Sequence, residues 1–167
     1  MIDQFHEKQR FNQWWIWLLI SGLLLTSYYT CYQEVLNGQS VDGDVPSGNA
    51  VFMPPVIMTI ILSLFLLLRL ETRIDHEGVH VRFFPIHRTW RTYPWTHIAH
   101  VDVREYRPLM EYGGWGLRGI GSNRALNVAG KIGIQLVFTS GDKLLIGTQK
   151  KEEAKIIIAK YLKSDVK

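Results

Sequence analysis

Cysteine is almost absent: Cys31 stands alone in 167 residues. It supports neither an intramolecular disulfide nor a cysteine-rich zinc centre. Catalytic signatures are missing as well. Ser122, Thr139 and Ser140 sit in no Gly-x-Ser-x-Gly elbow, no Gly-Lys-Ser/Thr occurs, and there is no His-Glu-x-x-His. No RNP, helix-turn-helix or finger pattern points to nucleic acid. Charge is missing from two long stretches. Phe11 to Gln33 is 23 residues without Asp, Glu, Lys or Arg, and Val45 to Leu68 is a second such run.

Those two runs are the strongest positive signal. A bilayer core of about 30 Å needs roughly 20 apolar residues in a helix. The first run has Trp14, Trp15 and Trp17 at one end and Tyr28, Tyr29 and Tyr32 at the other, the aromatic belt of an interface. The second becomes apolar near Ala50, and its Pro54 and Pro55 fall in a first turn, where a missing N–H costs least. A soluble helix of this length would show a polar stripe. The first run is too long for a signal-peptide core, and no small-residue cleavage site follows it.

Lysine and arginine set the orientation. Lys8 and Arg10 precede the first run, Arg69 and Arg73 follow the second, and Glu34–Asn49 between them has Glu34, Asp42 and Asp44 but no Lys or Arg. Positive flanks stay inside. The chain then divides into an N-terminal cytosolic flank (1–12), a first transmembrane helix (13–33), an external acidic loop (34–49), a second transmembrane helix (50–69) and a cytosolic domain (70–167). Gly22 and Thr26 form one small-x-x-x-small pair for helix packing.

Residues 70–167 carry 16 Lys and Arg against 10 Asp and Glu, a net charge of +6 with histidine neutral. Apolar residues alternate at Val79, Val81 and Phe83, at Ala99, Val101 and Val103, and at Ile132, Ile134, Leu136 and Phe138. That period of two predicts half-buried strands, joined by turns at Glu77-Gly78 and Ser140-Gly141-Asp142. From Lys150 to Leu162 the period changes to that of a helix, with Thr148 as its N-terminal cap. The expected fold class is an α+β membrane protein: a two-helix hairpin, then a small antiparallel barrel or sandwich of about seven strands capped by one C-terminal α-helix.

The segment Ile74-Asp75-His76-Glu77-Gly78-Val79-His80-Val81-Arg82, the Tyr93-Pro94-Trp95-Thr96-His97-Ile98 run into a strand, and Tyr112-Gly113-Gly114-Trp115-Gly116-Leu117-Arg118 resemble bacterial PH-like domains of the membrane-anchored kind. The resemblance covers residues 70–163, and the hairpin only as topology. It implies a PH-like fold facing the cytoplasm from the bacterial inner membrane, in line with the Lys/Arg asymmetry, which puts both termini inside. Most members of that group have no assigned activity, so it implies little chemistry.

The residues themselves suggest binding rather than catalysis. Gly114-Trp115-Gly116-Leu117-Arg118-Gly119 is formally G-x-G-x-x-G, but loop residues follow it, so no nucleotide is expected. His97 and His100 lie at an odd strand spacing and point to opposite faces, and Gly78 puts a turn between His76 and His80; no metal and no cofactor is expected. Trp115 should pack on the barrel and Arg118 should pair with Glu111 or Asp102. The candidate binding residues are Arg107, Tyr112, Trp115, Arg118 and Arg124. The expected function is a non-enzymatic, membrane-tethered scaffold for a membrane-protein partner or a second copy. Two alternatives are recognition of anionic lipid headgroups by the arginine-rich face, and an accessory subunit or enzyme with an unmarked site.

Overall fold

A computed structural model describes residues 4–37 and 48–164. They form two compact units, Asn12–Leu67 and the remainder of the chain. The helical unit contains α1 (Trp14–Asn37), a 3-10 segment (Gly48–Phe52) and α2 (Met53–Leu67). Pro54 and Pro55 occupy the first turn of α2, as their missing donors require. Helix α1 runs past the expected end at Gln33 to Asn37. Two stretches, Trp14–Leu36 and Asn49–Leu67, are long and apolar enough to cross a membrane, and little of either is buried.

Several hydroxyls of these helices are satisfied locally. Thr26 donates to the carbonyls of Gly22 and Leu23, and Ser63 donates to Thr59. Thr59 donates to the Pro55 carbonyl, and its hydroxyl lies 3.2 Å from that of Tyr28 across the pair. Hydroxyls bonded back to their own helix need no water. Most of the acidic loop expected at 34–49 lies outside the described residues.

The other unit is built on two sheets. The first is an antiparallel meander of β1 (Phe5–Arg10), β2 (Arg69–Ile74), β3 (Gly78–Phe84) and β4 (Arg91–Pro94), in that order. Residues read from sequence as a mere flank therefore form an edge strand, and Phe5 to Arg10 pair residue by residue with Ile74 to Arg69. The inner face carries Phe5, Leu70, Ile74, Val79, Val81 and Phe83, all buried.

The second sheet has the order β5-β8-β9-β7-β6, with β5 (Ile98–Glu105), β6 (Gly116–Ile120), β7 (Asn123–Asn127), β8 (Ile132–Phe138) and β9 (Lys143–Gly147). Between β5 and β6 lies the short helix α3 (Pro108–Tyr112), and after β9 comes α4 (Lys151–Ser164). The core of this half is Ile134, Leu136, Leu144 and Ile146, covered by Ala154, Ile157 and Ile158 of α4.

Two expectations are corrected here. The strands do not close into one barrel, because the first sheet ends at Pro94 and the chain turns through a 3-10 corner at Trp95–His97 before β5 begins. Nor is the sheet antiparallel throughout, since β7 and β9 run parallel. The cause is topological. β8 and β9 form a hairpin, and β7 takes the free edge of β9 rather than that of β8. The α+β class and the terminal helix stand as expected. Thr148 accepts the Lys150 N–H at 3.1 Å at the start of that helix.

Candidate functional site

The distinctive surface of the β unit centres on α3. Tyr106 leaves β5 with its N–H donating to the Lys131 carbonyl at 2.8 Å. Pro108 supplies the first helical residue. Gly113, at φ +70°, closes the helix with its N–H on the Leu109 carbonyl, and Gly114 donates to Pro108. Proline at the start and a left-handed glycine at the end delimit even this five-residue helix.

Ion pairing and packing hold α3 down. Glu111 takes the Arg104 guanidinium on one oxygen at 2.8 Å and the Arg107 N–H on the other at 2.8 Å. Arg104 also reaches the Gln135 side chain of β8 at 3.0 Å. The Arg104 hydrogen bond, opposed by burial and joined by the Arg107 N–H and the charges of both arginines, holds the Glu111 carboxyl below its ordinary value. Tyr112 turns inward against Tyr106, Ala125 and Leu145, with the two rings edge to face at 6.1 Å. Burial raises both phenols above the usual tyrosine value. The fully buried Asn127 ties the region together, donating to the Tyr106 hydroxyl at 2.9 Å and accepting the Gly116 N–H at 2.8 Å.

With Pro108 and Tyr112 facing in, Leu109 and Met110 face out. They are 65% and 82% exposed. Leu117 on the edge strand β6 is also exposed. Beside them an open groove of about 540 Å³ is lined by Tyr106, Pro108, Leu109, Met110 and Trp115, with Glu105, Arg107, Glu111 and Lys131 as its charged members. This combines an apolar tip, a rigid base and a rim of mixed charge.

Four of the five residues singled out from sequence gather here. Arg107 caps α3, Tyr112 anchors it, and Trp115 lines the groove and donates its indole N–H to the Gly130 carbonyl at 3.3 Å. Arg118 folds back to donate to the Trp115 carbonyl at 2.9 Å. Of the two carboxylates expected for Arg118, Glu111 or Asp102, Glu111 belongs instead to Arg104, which β5 aims at α3. Arg124 is separate. It neighbours Ala125 on β7 and therefore points to the other face, into a groove of about 350 Å³ with Tyr93, His97, Phe138 and Asp142. Leu109, Met110 and Arg104 were missed, although Pro108 and the Gly113-Gly114 pair bracket the first two as a short helix.

A second cluster, Asp75, Glu77 and His80, brings ligand-type atoms within 4.8 Å of one another. The Asp75 and His80 atoms of this cluster are already in use. Asp75 Oδ1 accepts from the Glu77 N–H and from His80 Nε2, both at 3.0 Å, while Oδ2 faces Arg73 Nε at 3.1 Å. The other imidazole nitrogen of His80 meets the Thr92 hydroxyl at 2.9 Å. The cluster ties the β2–β3 turn to β4, and Trp95 adds an indole bond to the Asp75 carbonyl at 2.9 Å.

Asp75 also makes this turn sensitive to acid. Burial raises its pKa, but the His80 and Glu77 hydrogen bonds and the charges of His80 and Arg73 outweigh burial and hold it below the ordinary value. A depressed carboxyl adds stability that is complete above its unfolded pKa of about 4 and is lost as pH falls through the lower folded value. Melting profiles of the detergent-solubilised chain between neutral pH and about pH 3 should therefore steepen at the acid end. Asp75→Asn should flatten that limb while lowering stability at neutral pH.

No protein-family model and no curated protein matches this chain.

Proposed function

We propose that the chain is a two-span protein of the bacterial inner membrane whose cytosolic unit is a PH-like, non-enzymatic binding module for another membrane protein. The observation that carries this reading is the exposed Leu109–Met110 tip on a helix held rigid by Glu111, Tyr112 and Gly113. Exposed apolar side chains on a fixed base, beside a charged rim, are what a partner desolvates on docking. The two long apolar helices and the Lys/Arg asymmetry around them support the membrane anchor. A four-stranded meander, a second sheet and a terminal helix support the PH-like assignment.

Two other readings have less behind them. Headgroup recognition by Arg107, Arg118 and Arg124 would need those cations to converge, and Arg124 points away from Arg118. An unmarked catalytic site built on the clustered Asp75 and His80 has against it that their polar atoms are occupied by one another and their neighbours.

The test is site-specific photocrosslinking from position 109 in native membranes, followed by mass spectrometry. A discrete adduct with one membrane protein, or with a second copy of the chain, is expected. An apolar anchor contributes about 2 kcal/mol, so the double change Leu109→Asp with Met110→Asp should reduce co-purification about tenfold or more while leaving the fold intact. Recovery of unmodified monomer alone would remove the proposal.

A further inference from the structure

The β3–β4 loop is a second surface that the binding reading leaves unexplained. It leaves β3 at Phe84, which pairs with Arg69, the first residue of β2; Arg69 in turn pairs with Arg10, the last residue of β1. Arg10 is separated from α1 by Phe11, Asn12 and Gln13, and Arg69 is separated from α2 by Leu68 alone. The span from Leu67 to Arg69 is thus no more than ~7 Å of chain. One end of the first sheet therefore carries both strand termini that continue into the apolar helices, and the β3–β4 loop as well.

The loop's composition suits such a position. Ile86 is 52% exposed and Trp90 is 39% exposed, and Arg88 and Arg91 beside them are exposed. The Trp90 ring is not loose, because the Arg82 guanidinium lies 4.9 Å from its centroid and is itself fixed on Glu71 of β2. The Phe84 ring is held in the same way beneath Arg69, at 4.5 Å. The loop is tied at its base by the His87 N–H, which donates to the Phe83 carbonyl at 2.7 Å. The charge at this end is one-sided: Lys8, Arg69 and Arg82 share Glu71 as their carboxylate, and Arg10, Arg88 and Arg91 add three exposed cations.

We infer that this loop docks on the anionic headgroup layer of the same bilayer that holds the helices. Ile86 and Trp90 enter the interface, and Arg88 and Arg91 meet the lipid phosphates. Tryptophan partitions to the headgroup level, and cations near an anionic leaflet are attracted within a Debye length. The loop would then act as a third attachment point, fixing the orientation of the β unit and hence the direction in which the α3 tip faces.

The inference rests on the reading that α1 and α2 cross a bilayer, so the experiment separates the two. The full chain, with Cys31→Ser, is reconstituted into vesicles of phosphatidylcholine alone or of phosphatidylcholine and phosphatidylglycerol in equal parts. A single cysteine carrying an environment-sensitive dye is placed at Ile86 or, as reference, at exposed His76, at the opposite end of the same sheet about 17 Å away. In the anionic vesicles the dye at 86 should be shielded from iodide, while the dye at 76 is quenched freely. Arg88→Gln with Arg91→Gln should reverse the shielding, the docking equilibrium falling about fivefold for each arginine removed.

Equal quenching at the two positions in anionic vesicles would overturn the docking while leaving the anchor intact, as would shielding that ignores the arginine changes. A chain stripped from the vesicles by alkaline carbonate would overturn both readings.

Discussion

Glu7→Ala should destabilise the β unit by about 3 kcal/mol, a fall of about 13 °C in the melting temperature of that unit in the detergent-solubilised chain. Glu7 lies on the inner face of β1, 5% exposed, and both its oxygens are accepting. Thr148 donates its hydroxyl to one at 2.6 Å, and Gln149 donates its N–H to the other at 2.8 Å. Both donors stand at the start of α4, where a carboxylate also meets the positive end of the helix. Two residues on, Gln9 donates to the Gly147 carbonyl at 2.7 Å. Removing Glu7 strands the buried Thr148 hydroxyl and deprives the part-buried Gln149 N–H of its partner, and a buried donor left unpaired costs about 1–3 kcal/mol. The N-terminal strand should then fray first, visible as rapid hydrogen exchange across Phe5–Arg10 and as proteolysis ahead of α1. Glu7→Gln keeps the shape and one acceptor, and should cost about half as much. Equal stability of Glu7→Ala and the parent would show that β1 is only loosely held.

Gly78→Ala should cost about as much, through a different cause. Gly78 opens β3 at φ +154° and pairs with Pro94 of β4. A Cβ there would lie 2.2 Å from the Tyr93 carbonyl oxygen and 2.8 Å from Pro94 Cα. Both are backbone atoms, so no rotamer change relieves the clash, and β4 must move away. The movement would also break the Trp95 N–H bond to the Glu77 carbonyl at 3.4 Å and disturb the indole bond of Trp95 to the Asp75 carbonyl. Overpacking against fixed backbone costs about 1–3 kcal/mol, and the unfavourable φ adds to it. Gly141→Ala is the comparison. Gly141 has φ +89° but open space around it, so only the conformational penalty of about 1 kcal/mol applies. Urea or thermal titrations that rank the two variants equally would show that the turn absorbs the added methyl.

Much of this protein was legible because the signal is local. Absence of charge over Phe11–Gln33 and Val45–Leu68 identifies two apolar helices without any knowledge of neighbours. Alternation marks β3, β5 and β8, and the change of period after Thr148 marks α4. β1 was not legible. Its inward residues after Phe5 are Glu7 and Gln9, so hydrophobic alternation fails at the positions that are buried. Their burial is possible only because Gly147, Thr148 and Gln149, some 140 residues away, supply the matching groups.

The α3 region divides along the same line. Proline 108 and the glycines after Tyr112 state a short helix locally, and the inward Tyr112 and groove-lining Trp115 were among the residues singled out. Sequence could not say that Arg104 rather than Arg118 takes Glu111. β5 delivers Arg104 to that carboxylate across Gln135, whereas β6 turns Arg118 back on the Trp115 carbonyl.

By itself, then, the sequence determined the two apolar helices, a basic α+β remainder, most of its strands and its final helix, since each depends on the order of residues within one turn or one strand. Tertiary structure alone decided that the N-terminal residues complete a sheet begun after α2, that the strands form two sheets rather than a barrel, and that β7 joins β9 in parallel. It also decided that Leu109 and Met110 face outward and that the β3–β4 loop shares an end with both helix connections. These outcomes depend on which strand edges and buried polar groups find partners far along the chain, and residue periodicity carries no record of that choice.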